Sequence, residues 1–246
     1  MNMSSLIKKF ANWINAAEHI VFFGGAGVST ESGVPDFRSP KGIYAREGGA
    51  ERYLTCEFMQ EQPERFYEFY RKYFMFSDIE PNAAHYGLAD MEKRGNLDAV
   101  VTQNVDGLHQ KAGSKKVLEL HGNGQRFYCV ACKQPYSFED VNAVTGAFYC
   151  TKTGCKGIVR PDIVMYGESL DDAVITASLR AIERADLLIV GGTSLMVYPA
   201  AGLIQYKPYG SKLVLINLDA TPYDNIADLV IHEPIGSVFN QLREAQ

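Results

Sequence analysis

The sequence predicts an α/β fold, a Rossmann-type parallel sheet with helical and cysteine-bearing insertions. Three observations predict it. Residues 20–23, Ile-Val-Phe-Phe, are β-branched or aromatic and read as a buried strand, and Gly24, Gly25 and Gly27 follow at once. Ser29 or Thr30 then leads into a short helical stretch, which completes the strand, glycine turn and helix start of a phosphate-binding unit. Further short apolar runs at 98–102, 117–120, 186–190 and 212–216 each end in polar residues, and ligands of open α/β sheets bind beyond such strand ends.

The glycine pattern is incomplete: Thr30 stands where a third glycine would fall. A hydride-transfer enzyme would also show a second strand and an acid about 20 residues on. Here the chain runs instead into Pro35-Asp36-Phe37-Arg38-Ser39-Pro40, which cannot be a central strand. The stretch therefore points to a dinucleotide but away from a dehydrogenase, with Asp36, Phe37 and Arg38 on a lid.

At 246 residues the chain can bury a full core. Its apolar share of 46% and charged share of 22% are those of an ordinary globular protein. A net charge of −5 argues against a nucleic-acid surface, and Lys8-Lys9 and Lys115-Lys116 read as solvated pairs. No apolar run approaches the ~20 residues of a bilayer span, and residues 1–10 lack the apolar core of a signal peptide. These features predict a cytoplasmic protein, in which five cysteines point to metal or reactive thiols rather than disulfides.

In chain order, Leu6, Ile7, Phe10, Trp13, Ile14 and Ala17 fall at helical spacing. Residues 40–95 are aromatic-rich without strand alternation and read as a largely helical insertion. Pro63 opens one helix through Phe74, and Pro81-Asn82 opens another that ends near Gly95. The strand at 98–102 delivers Gln103, Asn104, Val105 and Asp106, and the one at 117–120 delivers His121. Residues 127–158 carry the cysteines with weak periodicity. A strand at 161–165 leads to Tyr166-Gly167-Glu168, and Ser169 with Asp172 resembles a capping box for a helix through Ile182. The strand at 186–190 ends in Gly191-Gly192-Thr193-Ser194, and that at 212–216 in Asn217. A last strand at 229–231 precedes a C-terminal helix.

Cys129-x-x-Cys132, then 17 residues, then Cys150-x4-Cys155 has the spacing of a zinc ribbon. Four thiolates close a tetrahedral Zn²⁺ shell, so such a zinc is structural. Cys56 stands apart and reads as a buried apolar residue. A lone histidine is more often structural than catalytic, but His121 at a strand end beside Gln103, Asn104 and Asp106 is placed to take a proton from sugar hydroxyls. His19, His85, His109 and His232 lack such a setting. Gly192, Thr193, Ser194 and Asn217 suit either a second phosphate and ribose or ordinary loop capping.

Together these residues resemble the sirtuins of bacterial type, the NAD-dependent protein-lysine deacylases. The resemblance rests on Gly25-Ala26-Gly27-Val28-Ser29, Gly33-Val34-Pro35-Asp36-Phe37-Arg38, Thr102-Gln103-Asn104-Val105-Asp106, His121-Gly122, the two cysteine pairs, Tyr166-Gly167-Glu168, Gly192-Thr193-Ser194 and Asn217. They run in the family's order over nearly the whole chain. Tyr166 departs from the phenylalanine usual there.

The resemblance implies a Rossmann NAD-binding domain from residues 1–39, 96–126 and 159–246. It implies a small domain made of a helical module, 40–95, and a zinc-ribbon module, 127–158. Ala26, Thr30, Phe37 and Arg38, with Gly25, Gly27 and Asp36 around them, would cradle the pyrophosphate and nicotinamide ribose. Gln103, Asn104, Val105 and Asp106 would line the ribose and nicotinamide amide. Gly192, Thr193, Ser194, Asn217 and Ile235 would hold the adenosine half. His121 would be the general base, and Phe37 would keep water from the sugar. An acyl-lysine peptide would lie extended between Val164, Tyr166, Gly167 and Glu168 on one side and Val197 and Tyr198 on the other, pairing by backbone. The implied products are free lysine, nicotinamide and O-acetyl-ADP-ribose, from a monomer with no membrane or nucleic-acid partner.

Deacylases of this family that take succinyl or malonyl groups carry a Tyr-x-x-Arg pair, which aligns here with Tyr70 and Tyr73. Arg71 is adjacent, but one helical step of about 100° aims it elsewhere. An acetyl or longer apolar chain would meet Phe37, Tyr70, Tyr73 and Tyr166. Protein ADP-ribosyl transfer, a preference for longer acyl groups and a non-catalytic zinc-ribbon module are the alternatives.

Overall fold

The computed structural model describes residues 2–244. The elements run α1 (Met3–Ala16), β1 (Ile20–Gly24), α2 (Ile43–Arg46), α3 (Cys56–Glu61), α4 (Pro63–Phe74), α5 (Ala83–Arg94), β2 (Leu97–Thr102), α6 (Leu108–Ala112), β3 (Val117–Glu119) and β4 (Gly122–Cys129). They continue with β5 (Pro135–Ser137), α7 (Phe138–Asn142), β6 (Val159–Ile163), α8 (Asp172–Ile182), β7 (Leu187–Gly191), β8 (Lys212–Ile216), β9 (Leu229–Ile231) and α9 (Ile235–Glu244).

Six strands form a parallel sheet in the order β3-β2-β1-β7-β8-β9. Side chains of β1 alternate between its faces. Ile20 and Phe22 pack with α1, α5 and α9 on one side. Val21 and Phe23 pack with α8 and the 3-10 segment Ala200–Tyr206 on the other. Cover on both faces is why these strands read as continuous apolar runs.

Helix α5 corrects the expected insertion. Its Ala84, Leu88 and Met91 belong to the core of the parallel sheet, beside Phe10, Ile14 and Phe239. Parallel neighbours cannot be joined by a hairpin, and α5 is the crossover helix between β1 and β2. Asn82 caps it in a box with His85, and Gly95 ends it at φ +88°. The helix expected after the glycine turn is instead two short 3-10 turns, Ala26–Val28 and Thr30–Ser32.

A second, antiparallel sheet has the order β5-β4-β6. The boundary expected at 126/127 falls inside β4, and the one at 158/159 falls at the start of β6. Because β6 pairs with β4, residues 159–163 belong to this sheet rather than to the parallel one. The strand expected at 161–165 begins two residues earlier and ends at Ile163; Pro161 is tolerated because β6 lies on an edge. Helix α8 is capped by Asp171, which accepts from the amides of Ala173 and Val174, and not by Ser169.

The helices at 43–75 and the cysteine-bearing segment share one aromatic core, with Phe66, Tyr67, Tyr70, Phe127, Phe148 and Val159 all buried. Polar links stitch it. Tyr67 Oη donates to the Val159 carbonyl at 2.6 Å, and Glu64 accepts from the Ala147 amide at 2.9 Å.

Candidate active site

The chain leaves β1 toward β2 and β3, then returns to place β7 on the opposite side of β1. Such a reversal opens a crevice beyond the strand ends. Here a cavity of about 460 Å³ lies at that point. Its floor is two glycine turns in backbone contact. Gly27 N–H donates to the Gly192 carbonyl at 2.8 Å. A Cβ on Gly27 would sit 2.8 Å from Gly192 Cα, and one on Gly192, at φ +57°, would sit 2.2 Å from the Val28 nitrogen.

Ala26, Gly27, Thr30, Asp36, Phe37 and Arg38 line the cavity, as do Gln103, Asn104, Val105, Asp106 and His121. Gly192, Thr193, Ser194, Asn217 and Ile235 line its far end. Gly25 is not among the lining residues: its N–H is bonded to the Gly191 carbonyl, and a Cβ on it would run into Thr193 and Gln103.

His121 follows β3, and its Nδ1 lies 3.0 Å from the Gln103 carbonyl. A carbonyl only accepts, so Nδ1 carries the proton and Nε2 keeps its lone pair. Burial lowers the His121 pKa, partly opposed by that same carbonyl, so the ring is neutral at pH 7.

Behind it lies a closed network. Ser29 Oγ donates to Asp106 Oδ2 at 2.7 Å and accepts from Asn104 Nδ2 at 3.1 Å. His85 Nδ1 accepts from the Asn82 amide, which leaves a proton on Nε2, 3.5 Å from Ser29 Oγ. Burial raises the Asp106 pKa, while the Leu108 amide and the Ser29 hydroxyl pull it down. Ser29 and His85 were not singled out as site residues; His85 sits within the first turn of α5, where it reads as a capping residue. Gln103 Oε1 accepts from Thr193 Oγ1 at 3.1 Å, but its buried Nε2 has no partner among the described residues.

One wall is aromatic. Phe37 packs against Tyr44 and Phe74 at 5.6 and 6.0 Å, and Tyr73 joins them, its hydroxyl donating to Glu47 at 2.6 Å. Tyr70 was expected here, but it is fully buried in the aromatic core and does not line the cavity. Tyr44, Phe74 and Met165 line it without having been singled out; Tyr44 and Phe74 lie in aromatic-rich sequence where core and wall look alike. Arg71 points away, donating to the carbonyls of Val141, Val144 and Gly146.

Val164, Tyr166, Gly167 and Glu168 also line the cavity, as do Val197 and Tyr198. The Glu168 carboxylate is held internally. Arg160 grips both its oxygens, at 2.6 and 2.7 Å, and the Met165 amide donates to it at 2.8 Å. Burial alone would raise the Glu168 pKa, but these donors bring it down to about 2. Cys56, expected as a plain buried residue, is half-buried with its thiol against Glu168 and the Arg160 guanidinium.

The four remaining cysteine sulfurs all lie within 4.8 Å of one another. The Cys129–Cys155 and Cys132–Cys150 pairs are each 3.6 Å apart, and the edge of a tetrahedron with ~2.3 Å Zn–S bonds is about 3.8 Å. Tyr136 Oη donates to Cys150 Sγ at 3.2 Å, which favours the thiolate. The donor set fits zinc and leaves no ligand position for water.

Fold and site define a dinucleotide-binding α/β protein with a neutral imidazole in its cleft and a tetrathiol ribbon beside it. A model of the Sir2 family matches residues 25–199. An NAD-dependent protein deacetylase of Clostridium acetobutylicum is 53% identical over 238 residues, covering 95% of this chain and 96% of the relative. One of Clostridium perfringens is 49% identical over 244 residues, covering 98% and 99%. A solved structure of Sir2 with a p53 peptide and NAD+ matches with a TM-score of 0.87 at 39% identity, covering 100% of this chain and 98% of that one. Another, of a Sir2 variant with deacetylated p53 peptide and 3′-O-acetyl-ADP-ribose, has a TM-score of 0.89 at 39% identity, covering 97% and 98%. The chain belongs to the Sir2 family.

Proposed function

We propose that this chain is an NAD-dependent protein-lysine deacetylase that yields free lysine, nicotinamide and O-acetyl-ADP-ribose. The observation that carries the reading is His121: a neutral imidazole with a fixed tautomer, its Nε2 without a partner among the described residues, in a cavity floored by two bare glycine turns. The relatives named as deacetylases, and the Sir2 structures holding peptide with NAD+ or acetyl-ADP-ribose, support it.

The cavity fits a dinucleotide. Gly27 and Gly192 give backbone that a pyrophosphate can approach, and the unpartnered Gln103 amide offers a donor to a ligand acceptor. Thr193, Ser194 and Asn217 would hold the adenosine half. Bound NAD supplies a nicotinamide–ribose bond whose cleavage leaves the ribose electron-poor and open to the acetyl oxygen. His121 Nε2 accepts the proton of a ribose hydroxyl, and Nδ1–H, tied to Gln103, keeps the ring aimed. Ser29 fixes Asp106 and Asn104 facing the same sugar. Phe37 closes the site against water. The substrate is an acetyl-lysine protein or peptide, paired by backbone between 164–168 and 197–198.

Cys129, Cys132, Cys150 and Cys155 would bind zinc and secure the ribbon, without a part in the chemistry. A reducing, cytoplasmic setting and a monomer that needs no nucleic acid belong to the same proposal; no helix among the described residues is long and apolar enough to cross a membrane. ADP-ribosyl transfer to protein uses the same bond cleavage but has no use for a base oriented like His121. Incubation with NAD and an acetyl-lysine peptide, with mass analysis of all products, tests the reading. Stoichiometric nicotinamide, lysine peptide and acetyl-ADP-ribose are expected; ADP-ribosylated protein with the acetyl group intact would overturn it.

A further inference from the structure

Tyr44 and Tyr166 meet hydroxyl to hydroxyl across the mouth of the cavity. The Tyr166 side is firmly anchored. The Tyr166 amide donates to the Leu54 carbonyl at 2.9 Å, and the Val164 amide to the His121 carbonyl at 2.9 Å. The Arg160–Glu168 fork then ties the end of the segment to β6, and Arg160 is only 5% exposed. The Tyr44 side is attached to catalytic-site residues. The Tyr44 amide donates to the Phe37 carbonyl at 3.0 Å, and the Ile43 amide to the Asp36 carbonyl at 2.8 Å. Its ring meets Phe37 edge-on at 5.6 Å, and the Arg38 guanidinium lies 5.5 Å over it. Whatever fixes Tyr44 fixes Phe37 and Arg38.

We infer that the Tyr44–Tyr166 pair is a clasp: it fastens the 36–44 segment to the anchored 164–168 segment, and so makes both tyrosines positioning residues for Phe37 and Arg38. The co-substrate then meets a lid already held in place, and less ordering remains to be done on binding. The Tyr44 phenol is neutral in the working range, since burial and the neighbouring Tyr166 hold its pKa well above its ordinary value. The enzymatic part rests on the proposed function, whereas the structural part does not.

Tyr44→Phe and Tyr166→Phe each remove one oxygen and keep the ring. Three quantities are read on each single variant and the double: amide hydrogen exchange over 36–46 without ligand, NAD affinity by titration calorimetry, and nicotinamide released per lysine deacetylated. Each single variant is expected to speed exchange at Ile43 and Tyr44 and to weaken NAD about two- to tenfold, as loss of one hydrogen bond does. Nicotinamide release should exceed deacetylation as Phe37 loosens. The double variant should match either single one. Additive effects, or unchanged exchange and NAD affinity in both singles, would overturn the clasp. So would a change confined to peptide KM in Tyr166→Phe, which would place that hydroxyl on the acyl group. If the wild type gives no deacetylation while exchange and NAD affinity respond as expected, the clasp stands and the proposed function falls.

Discussion

A histidine that donates through one ring nitrogen can accept only through the other, and Gln103 makes that choice for His121. His121→Ala is expected to lower kcat by about 10²–10⁴-fold while NAD affinity stays within about threefold. Turnover near wild type would remove His121 from the base role. Because burial lowers its pKa, the ring is more than half neutral at the ordinary histidine value of about 6.5. The rising limb of kcat against pH should therefore lie below pH 6.5, with a plateau through neutrality. Two other histidines act on stability instead. Burial lowers His85 to about 4 and drives His109, whose ring nitrogens have no partner among the described residues, well below its usual value. As pH falls from 6.5 toward 4 the unfolded chain takes up protons that the folded one refuses, so stability is lost in that window. The His85 share is about 3 kcal/mol at most. Melting temperature measured from pH 7 to 4 should fall steeply; a flat profile would mean that these rings protonate in place.

At the scale of elements, the ribbon and helix α4 stand or fall together. Tyr67 reaches the Val159 carbonyl and Arg71 three carbonyls of residues 141–146, so the helix leans on backbone that the four thiols hold together. Chelation or Cys132→Ser is expected to lower the melting temperature and to abolish deacetylation without touching the NAD wall. Purified protein free of zinc, or chelated protein with unchanged melting and activity, would refute a structural metal. The Arg160–Glu168 fork is a second such joint. Glu168→Gln should raise peptide KM several-fold and, because the fork also anchors the Tyr166 segment, weaken NAD by no more than the clasp variants do, which titration with each ligand separately would show. The carboxylate is depressed from its ordinary 4.5 to about 2, so the joint is intact above pH 4.5 and is lost as pH falls toward 2. Legibility followed burial. The core strands of the parallel sheet are covered on both faces and show in sequence as apolar runs, while β4 opens Gly122-Asn123-Gly124-Gln125-Arg126 and shows nothing. Helix α5 was visible as a helix, but its place in the sheet's own layer follows from topology and not from its residues.

Across the whole molecule, the cavity lies between a parallel-sheet core and an aromatic core, and its residues come from both. Strand-end residues such as His121, Asn104 and Thr193 could be foreseen because each ends an apolar run. Tyr70 and Tyr44 could not be sorted, since one faces the core and the other the cleft from equally aromatic sequence. Arg38 is the one lysine or arginine among the described lining residues, and it stacks on Tyr44. A succinyl carboxylate buried beside Tyr73 would have no cation, at a cost of several kcal/mol. On one peptide, acetyl-lysine should therefore exceed succinyl-lysine at least about tenfold in kcat/KM, with butyryl nearer to acetyl; equality would mean that a cation reaches the pocket. The contact of Gly27 with Gly192 bears on how such a chain drifts over generations. Most packed pairs adapt by exchange, one side growing as the other shrinks. Here a methyl on either residue enters the other turn's backbone, at 2.8 Å in one direction and 2.2 Å in the other. Neither partner has anything left to give up, so no second-site change can rescue the first, and the two positions are frozen as a pair.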